Sequence, residues 1–187
     1  MILYLHGFAS SSNSEKVNAL KKFPDIKVVA FDLSMNPLNA IEQIENFIKI
    51  NPSEDIMLMG SSLGGYYAQY IATLFDLPAV LINPSMQPYD TLARFVGLVT
   101  KNFSKDETFV YTQEDIDALK QLSIDKVDQS KVLLMVQKGD TDLDYKKAVG
   151  ALPYATHHIQ EGGNHSFKDF ATTFPLIESF YRKFYKV

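Results

Sequence analysis

Cysteine is absent from all 187 residues, which excludes disulfide staples, thiolate zinc sites, iron–sulfur clusters and a cysteine nucleophile. Positive charge is not in excess either. Eighteen Lys and Arg face 22 Asp and Glu for a formal net charge of -4, so a nucleic-acid partner has no electrostatic footprint here. The aromatics, 10 Tyr and 13 Phe, lack interleaved basic residues and read as core and pocket wall rather than as a base-stacking platform. No apolar stretch approaches the roughly 20 residues of a membrane-spanning helix. The first run, Met1 to Leu5, meets His6-Gly7 with no basic segment before it and reads as a buried strand rather than a signal peptide. No membrane partner and a cytoplasmic location are therefore expected. P-loop and G-x-G-x-x-G motifs are missing, so neither a phosphate cradle nor a dinucleotide site is foreseen, and no cofactor or metal is expected. With no repeat, low-complexity tract or linker, residues 1–187 are expected to form a single domain.

Short apolar runs alternate with longer stretches of helical period, the pattern of a parallel sheet covered by helices on both faces. The expected strands are Ile2–Leu5, Ile26–Phe31, Ile56–Met59, Ala79–Ile82, Val132–Val136 and Ala155–Gln160. Asn36-Pro37 followed by Ile41, Ile44, Phe47 and Ile48 supplies a cap, a first-turn proline and helical spacing. Gly64–Phe75, Leu143–Ala151 and Lys168–Tyr185 read likewise, Pro175 beginning or kinking the last. With the first strand central, the predicted order is 2-1-3-4-5-6, with a reversal between strands one and three where ligands bind. Residues 86–130 break the alternation and are expected to form a helical insertion, either a lid or ordinary packing helices. Within that stretch Thr112-Gln113-Glu114-Asp115 looks like a helix start, and Leu92, Arg94, Phe95, Leu98 and Val99 like an amphipathic patch.

The chemistry starts at Gly60-Ser61-Ser62-Leu63-Gly64, a G-x-S-x-G placed directly after a strand and before a helix. There the turn is tight enough to strain the serine backbone, and flanking side chains would strike neighbouring backbone. Ser62 is the candidate nucleophile. Acyl transfer also needs amide donors for the oxyanion, and the arrangement points to Leu63, after the nucleophile, and Phe8, in the loop after the first strand. His6 reads as a brace for that loop. A base and an acid must follow. Glu161-Gly162-Gly163-Asn164-His165 puts His165 on a glycine-rich loop at the same sheet edge, whereas His157 and His158 fall within a strand. The fifth strand runs into Gly139-Asp140-Thr141-Asp142, which nominates Asp140 as the acid with Asp142 as its competitor. A calcium loop here fails, because Tyr145 and Ala151 occupy the positions that need Gly and Glu.

The segments Leu3–Phe8, Gly60–Ala68, Leu77–Val80, Asn83-Pro84, Gly139-Asp140 with Leu143–Tyr145, and Glu161–His165 resemble those of the YqiA-like bacterial esterases of the α/β-hydrolase superfamily. The resemblance spans nearly the whole chain. It implies a three-layer α/β-hydrolase fold with a mostly parallel six-stranded sheet, Ser62, Asp140 and His165 as a catalytic triad, and a small-molecule acyl ester or thioester as substrate. Two places depart from the pattern: Thr141-Asp142 follows Gly139-Asp140, and Met86–Ser130 matches only loosely. The expected activity is a serine esterase that loses activity in acid as its histidine base protonates. The alternatives are an acyl-CoA thioesterase, for which the stretch Arg94 to Lys105 offers only three basic residues, Arg94, Lys101 and Lys105, and a binding module without turnover on the same scaffold.

Overall fold

The computed structural model describes every residue except 24, 103–105, 125 and 187. Its elements run β1 (Ile2–Leu5), α1 (Glu15–Leu20), β2 (Val28–Val29), α2 (Pro37–Ile50), β3 (Met57–Ser61), α3 (Leu63–Phe75), β4 (Ala79–Ile82) and α4 (Pro88–Thr91). They continue with β5 (Val99–Lys101), β6 (Thr108–Val110), α5 (Gln113–Gln121), β7 (Val132–Gln137), α6 (Tyr145–Ala151), β8 (Thr156–Gln160) and α7 (Phe174–Tyr181). Six strands form one sheet in the order β2-β1-β3-β4-β7-β8, and every neighbouring pair is parallel. Counted within that sheet, the order is the expected 2-1-3-4-5-6. The chain-order numbers jump because two further strands lie in the insertion. The edge strand β2 is shorter than Ile26–Phe31.

The inner strands β1, β3, β4 and β7 read as continuous, mostly apolar runs because both faces are covered, and the two-residue repeat deals successive side chains to opposite layers. Ile2 and Tyr4, Met57 and Met59, Val80 and Ile82, and Leu133 and Met135 pack with Val17 of α1 and with Ile177 and Phe180 of α7. Their neighbours Leu3, Leu5, Leu58, Leu81 and Leu134 pack on the other side with α2, α3, α5 and α6. Each such leucine, fully buried, contributes on the order of 2 kcal/mol. The helix ends follow their local signals. Asn36 Oδ1 accepts from the Asn39 amide at 3.1 Å, and Thr112 and Asp115 form a reciprocal capping box. Pro175 lies in the first turn of α7.

The insertion is not purely helical, which corrects the expectation. Between α4 and α5 the antiparallel pair β5–β6 forms a second sheet, with Val99 opposite Val110 and Thr100 opposite Phe109. The apolar patch from Leu92 to Val99 is no continuous helix. A single 3₁₀ turn, Ala93–Phe95, ends before Gly97 at φ +76° turns the chain into β5. The insertion seats on the loop after β1: the Phe8 ring lies 5.1 Å from Phe95, 5.4 Å from Phe109 and 5.2 Å from Tyr111, and Asn102 Nδ2 donates to the Ser10 carbonyl at 3.0 Å. Among the described residues no helix is long and apolar enough to cross a membrane.

Candidate active site

The sheet reversal places the loop after β1 beside the loop after β3. Ser62 alone turns the chain from β3 into α3, at φ +55° and ψ -120°. Such a backbone costs a residue with a side chain about 1–3 kcal/mol and persists only where its surroundings over-determine it. They do so here. The Ser62 amide donates to the Ile82 carbonyl at 3.1 Å, and the Ser62 carbonyl accepts from the amides of Gly65 at 3.0 Å and Ser85 at 3.1 Å. The flanking glycines allow no replacement, since a Cβ on Gly60 would fall 2.0 Å from the Gly64 carbonyl oxygen and one on Gly64 2.0 Å from that of Leu5. The loop after β1 also presses against the serine, though less tightly. A Cβ on Gly7 would sit 3.2 Å from Ser62 Cβ and 3.8 Å from Ser62 Oγ.

His165 reaches this point from the loop after β8. Its Nε2 lies 3.1 Å from Ser62 Oγ and its Nδ1 2.8 Å from Asp140 Oδ2. Of the two competing carboxylates, the structure thus places Asp140, not Asp142, on the ring. The Asp140 side chain is only 2% exposed, and its Oδ1 accepts from the amides of Asp142 at 2.9 Å and Leu143 at 3.0 Å. Burial pushes the Asp140 carboxyl upward. The hydrogen bonds from His165, Leu143 and Asp142, with the charge of a protonated His165, outweigh it and hold the group below its ordinary value. An ionised Asp140 can only accept, so Nδ1 carries the proton and Nε2 presents its lone pair to the Ser62 hydroxyl.

Ser62 and His165 line a cavity of about 200 Å³ together with Phe8, Leu63, Ser85, Leu92, Phe95, Leu143 and the charged Arg94 and Asp142. The Leu63 amide opens the 13-residue helix α3, whose N-terminus favours negative charge. Among the described residues neither this amide nor that of Phe8 donates to a protein acceptor. His6 is buried, with Nε2 accepting from the Leu33 amide at 3.0 Å and Nδ1 2.9 Å from the Gly7 carbonyl oxygen. It braces the loop, its two ring nitrogens facing the Leu33 amide and the Gly7 carbonyl. His157 Nε2 bonds the Leu152 carbonyl away from the cavity. Asp140, Asp142 and His165 bring their ligand atoms within 4.8 Å of one another, but two of those atoms already bond each other, and the cluster needs no ion to account for it.

Two residues escaped the sequence reading. Asn83, just past β4, and Gln137, the last residue of β7, are each 3% exposed and bond the backbone on both sides of His165. Their signal was a polar amide closing an otherwise apolar strand.

Comparison with known proteins agrees with the architecture. Alpha/beta hydrolase domain-containing protein 10 from mouse superposes with a TM-score of 0.76 at 14% identity, covering 97% of this chain and 89% of that one. Est1E from Butyrivibrio proteoclasticus, in a structure with ferulic acid bound, gives 0.70 at 14% identity over 98% of this chain and 88% of that one. At such identities the likeness carries the fold, which is that of the α/β hydrolases. By sequence, the UPF0227 protein YcfP of Salmonella gallinarum is 27% identical over 187 residues, covering 96% of this chain and 98% of that protein. Residues 1–182 match the family described as Uncharacterised protein family (UPF0227), and the chain belongs to that family, in line with its YqiA-like motifs.

Proposed function

We propose that this chain is a serine hydrolase that cleaves carboxylic acyl esters through an acyl-serine intermediate. The observation that carries the reading is the single line of hydrogen bonds from Ser62 Oγ through the His165 ring to Asp140, at the wall of a cavity. Ser62 Oγ attacks the acyl carbonyl as His165 Nε2 takes its proton. The oxygen of the tetrahedral intermediate is received by the Phe8 and Leu63 amides, each such donor being worth about 10²–10³ in rate. His165 returns the proton to the departing alkoxide, and the ester C–O bond breaks. Water then gives its proton to the same nitrogen and attacks the acyl-serine, and the collapse of the second intermediate releases the acid and restores the Ser62 hydroxyl. Asp140 stays ionised throughout and stabilises the imidazolium.

The esterase domain of a Rhodothermus marinus protein shares the fold, which is in keeping with this chemistry. A thioester with a phosphate-bearing leaving group fits less well. Arg94 lines the cavity, Lys101 pairs with Asp106 at 3.2 Å, and Lys105 lies outside the described residues. The test is labelling with a fluorophosphonate, which phosphonylates an activated serine. An adduct on Ser62 that is lost in Ser62→Ala at unchanged melting temperature is the expected result. No adduct on the parent protein means a binding module instead.

A further inference from the structure

We infer that Asn83 and Gln137 are positioning residues that hold the His165 loop in register with Ser62, an inference that rests on the serine-hydrolase reading. His165 belongs to no helix or strand. Its loop departs from β8 through Gly162 at φ +63° and Gly163 at φ +76°, and Phe167 and Asp169 follow at φ +58° each. Backbone so irregular cannot satisfy its own polar groups, and away from water each must find a partner. Two side chains supply them.

Gln137 Oε1 accepts from the Asn164 amide at 3.0 Å and the Lys168 amide at 2.8 Å, while its Nε2 donates to the Lys168 carbonyl at 2.8 Å and to Gln160 Oε1 at 2.7 Å. Asn83 Nδ2 donates to the carbonyls of Asn164 at 3.0 Å and His165 at 3.1 Å, and its Oδ1 accepts from the Gln137 amide at 2.9 Å. Five backbone groups, bracketing the imidazole from both sides, are thus tied to the ends of the adjacent strands β4 and β7. The orientation of each amide is unambiguous, since its oxygen meets only N–H groups and its nitrogen only oxygens. The same two strand ends lead into the other partners. Ser85, two residues after Asn83, donates its amide to the Ser62 carbonyl, and Asp140 follows Gln137 by three. One clamp therefore fixes the base relative to both the hydroxyl and the acid.

Hydrogen bonding and mere filling of the site make opposite demands on Gln137. Gln137→Leu keeps the volume and removes all four bonds. Gln137→Glu keeps the acceptor for the Asn164 and Lys168 amides and places a carboxyl group in a buried site. If the residue only fills space, Leu is better tolerated, because burying a charge is expensive. As a positioning residue, it leaves Gln137→Glu with more of its kcat than Gln137→Leu. A misplacement of about 1 Å costs on the order of 10² in rate.

The experiment measures kcat and KM on a short-chain p-nitrophenyl ester for the parent, Gln137→Leu, Gln137→Glu and Asn83→Ala, with melting curves giving the folded fraction. Expected is a loss of kcat of about a hundred-fold in Gln137→Leu with KM within about threefold, and a smaller loss in Gln137→Glu. A kcat within threefold of the parent in folded Gln137→Leu, or the reverse order of the two variants, overturns the inference. Amide hydrogen exchange on the parent protein tests the clamp even if the variants do not fold. The Asn164 and Lys168 amides are expected to be protected, and exchange at the rate of exposed loop amides rejects it. The labelling of Ser62 is read separately, so loss of the hydrolase reading and loss of the clamp give different results.

Discussion

Replacing Asp140 by asparagine changes one atom and leaves the shape intact, yet it sets two demands of the site against each other. The carboxylate now takes the His165 Nδ1 proton on one oxygen and the amides of Asp142 and Leu143 on the other. An asparagine that keeps its oxygen on the two amides turns its NH₂ toward Nδ1. The ring must then carry its proton on Nε2, where it cannot accept from Ser62. The opposite rotamer restores the ring but aims the NH₂ at two N–H groups that lose their acceptor. At about 1–3 kcal/mol for the part-buried Leu143 amide and about 0.5–1.5 kcal/mol for the exposed Asp142 amide, the active rotamer lies roughly 1.5–4.5 kcal/mol above the inactive one. At 1.36 kcal/mol per tenfold, kcat falls between about 10-fold and 2 × 10³-fold, below the loss of about 10⁴ when a serine-protease triad undergoes the same exchange. Asp142 contributes only its backbone amide to the ring's partner, so Asp142→Asn is expected to keep kcat within about threefold. Steady-state hydrolysis of a p-nitrophenyl ester by both variants, with melting curves as control, decides. The reasoning is refuted if Asp140→Asn keeps more than a tenth of the parent's kcat, or if Asp142→Asn loses as much.

Other expectations follow from single features. The Asp140 carboxyl is held below its ordinary value of about 3.9, so in the interval below that value the unfolded chain binds the extra proton. Its stabilising contribution is complete above about pH 4 and is lost as pH falls through the folded value. The melting difference between the parent and Asp140→Asn is expected to shift against the parent on acidification below pH 4, and a shift in its favour contradicts this. Gly150, inside α6, has open space where a Cβ would stand, so Gly150→Ala is expected to add roughly 0.5–1 kcal/mol and raise Tm by about 1–4 °C. Gly64→Ala drives a Cβ into the Leu5 carbonyl and is expected to yield little folded protein. The cavity beside Ser62 and His165, of about 200 Å³, lies below the roughly 300–1,000 Å³ of sites that enclose drug-sized ligands. A panel of graded acyl esters is therefore expected to favour short chains, and a rise in kcat/KM toward long chains counts against the cavity as the acyl site.

The sequence was most legible where a residue's neighbours in the chain are also its neighbours in space. The turn at Ser62 announces itself because a strand ends at Ser61 and a helix begins at Leu63, and the caps at Asn36 and Thr112 act within three residues. The β5–β6 hairpin could not be read because its alternation is inverted. Val99 and Val110 are exposed, whereas the inward residue of β5 is Thr100, facing a partly buried Phe109. A polar threonine inside and valines outside carry no strand signal. Choosing between Asp140 and Asp142 required three-dimensional information, since both lie on one short turn and only the ring of a residue more than twenty positions away distinguishes them. Asn83 and Gln137 were hidden for the same reason: their partners are backbone groups of a distant loop, which no side-chain pattern announces.

The chain departs from the sheet after Ile82 and rejoins it at Val132, on strands that are hydrogen-bonded neighbours with Ala79 beside Val132. Because those strands are parallel, Ile82 lies beside Met135 while Val132 lies beside Ala79, so the stems of the segment that roofs the cavity stand on neighbouring strands at opposite edges of the sheet. A different roof could be spliced onto the same stems without shifting the spacing of hydroxyl, imidazole and carboxylate, provided it brought equivalents of Tyr111, Ile116 and Leu119 to plug the core. Most of the cavity's roof and the line from hydroxyl to imidazole to carboxylate are thus carried by separate stretches of polypeptide.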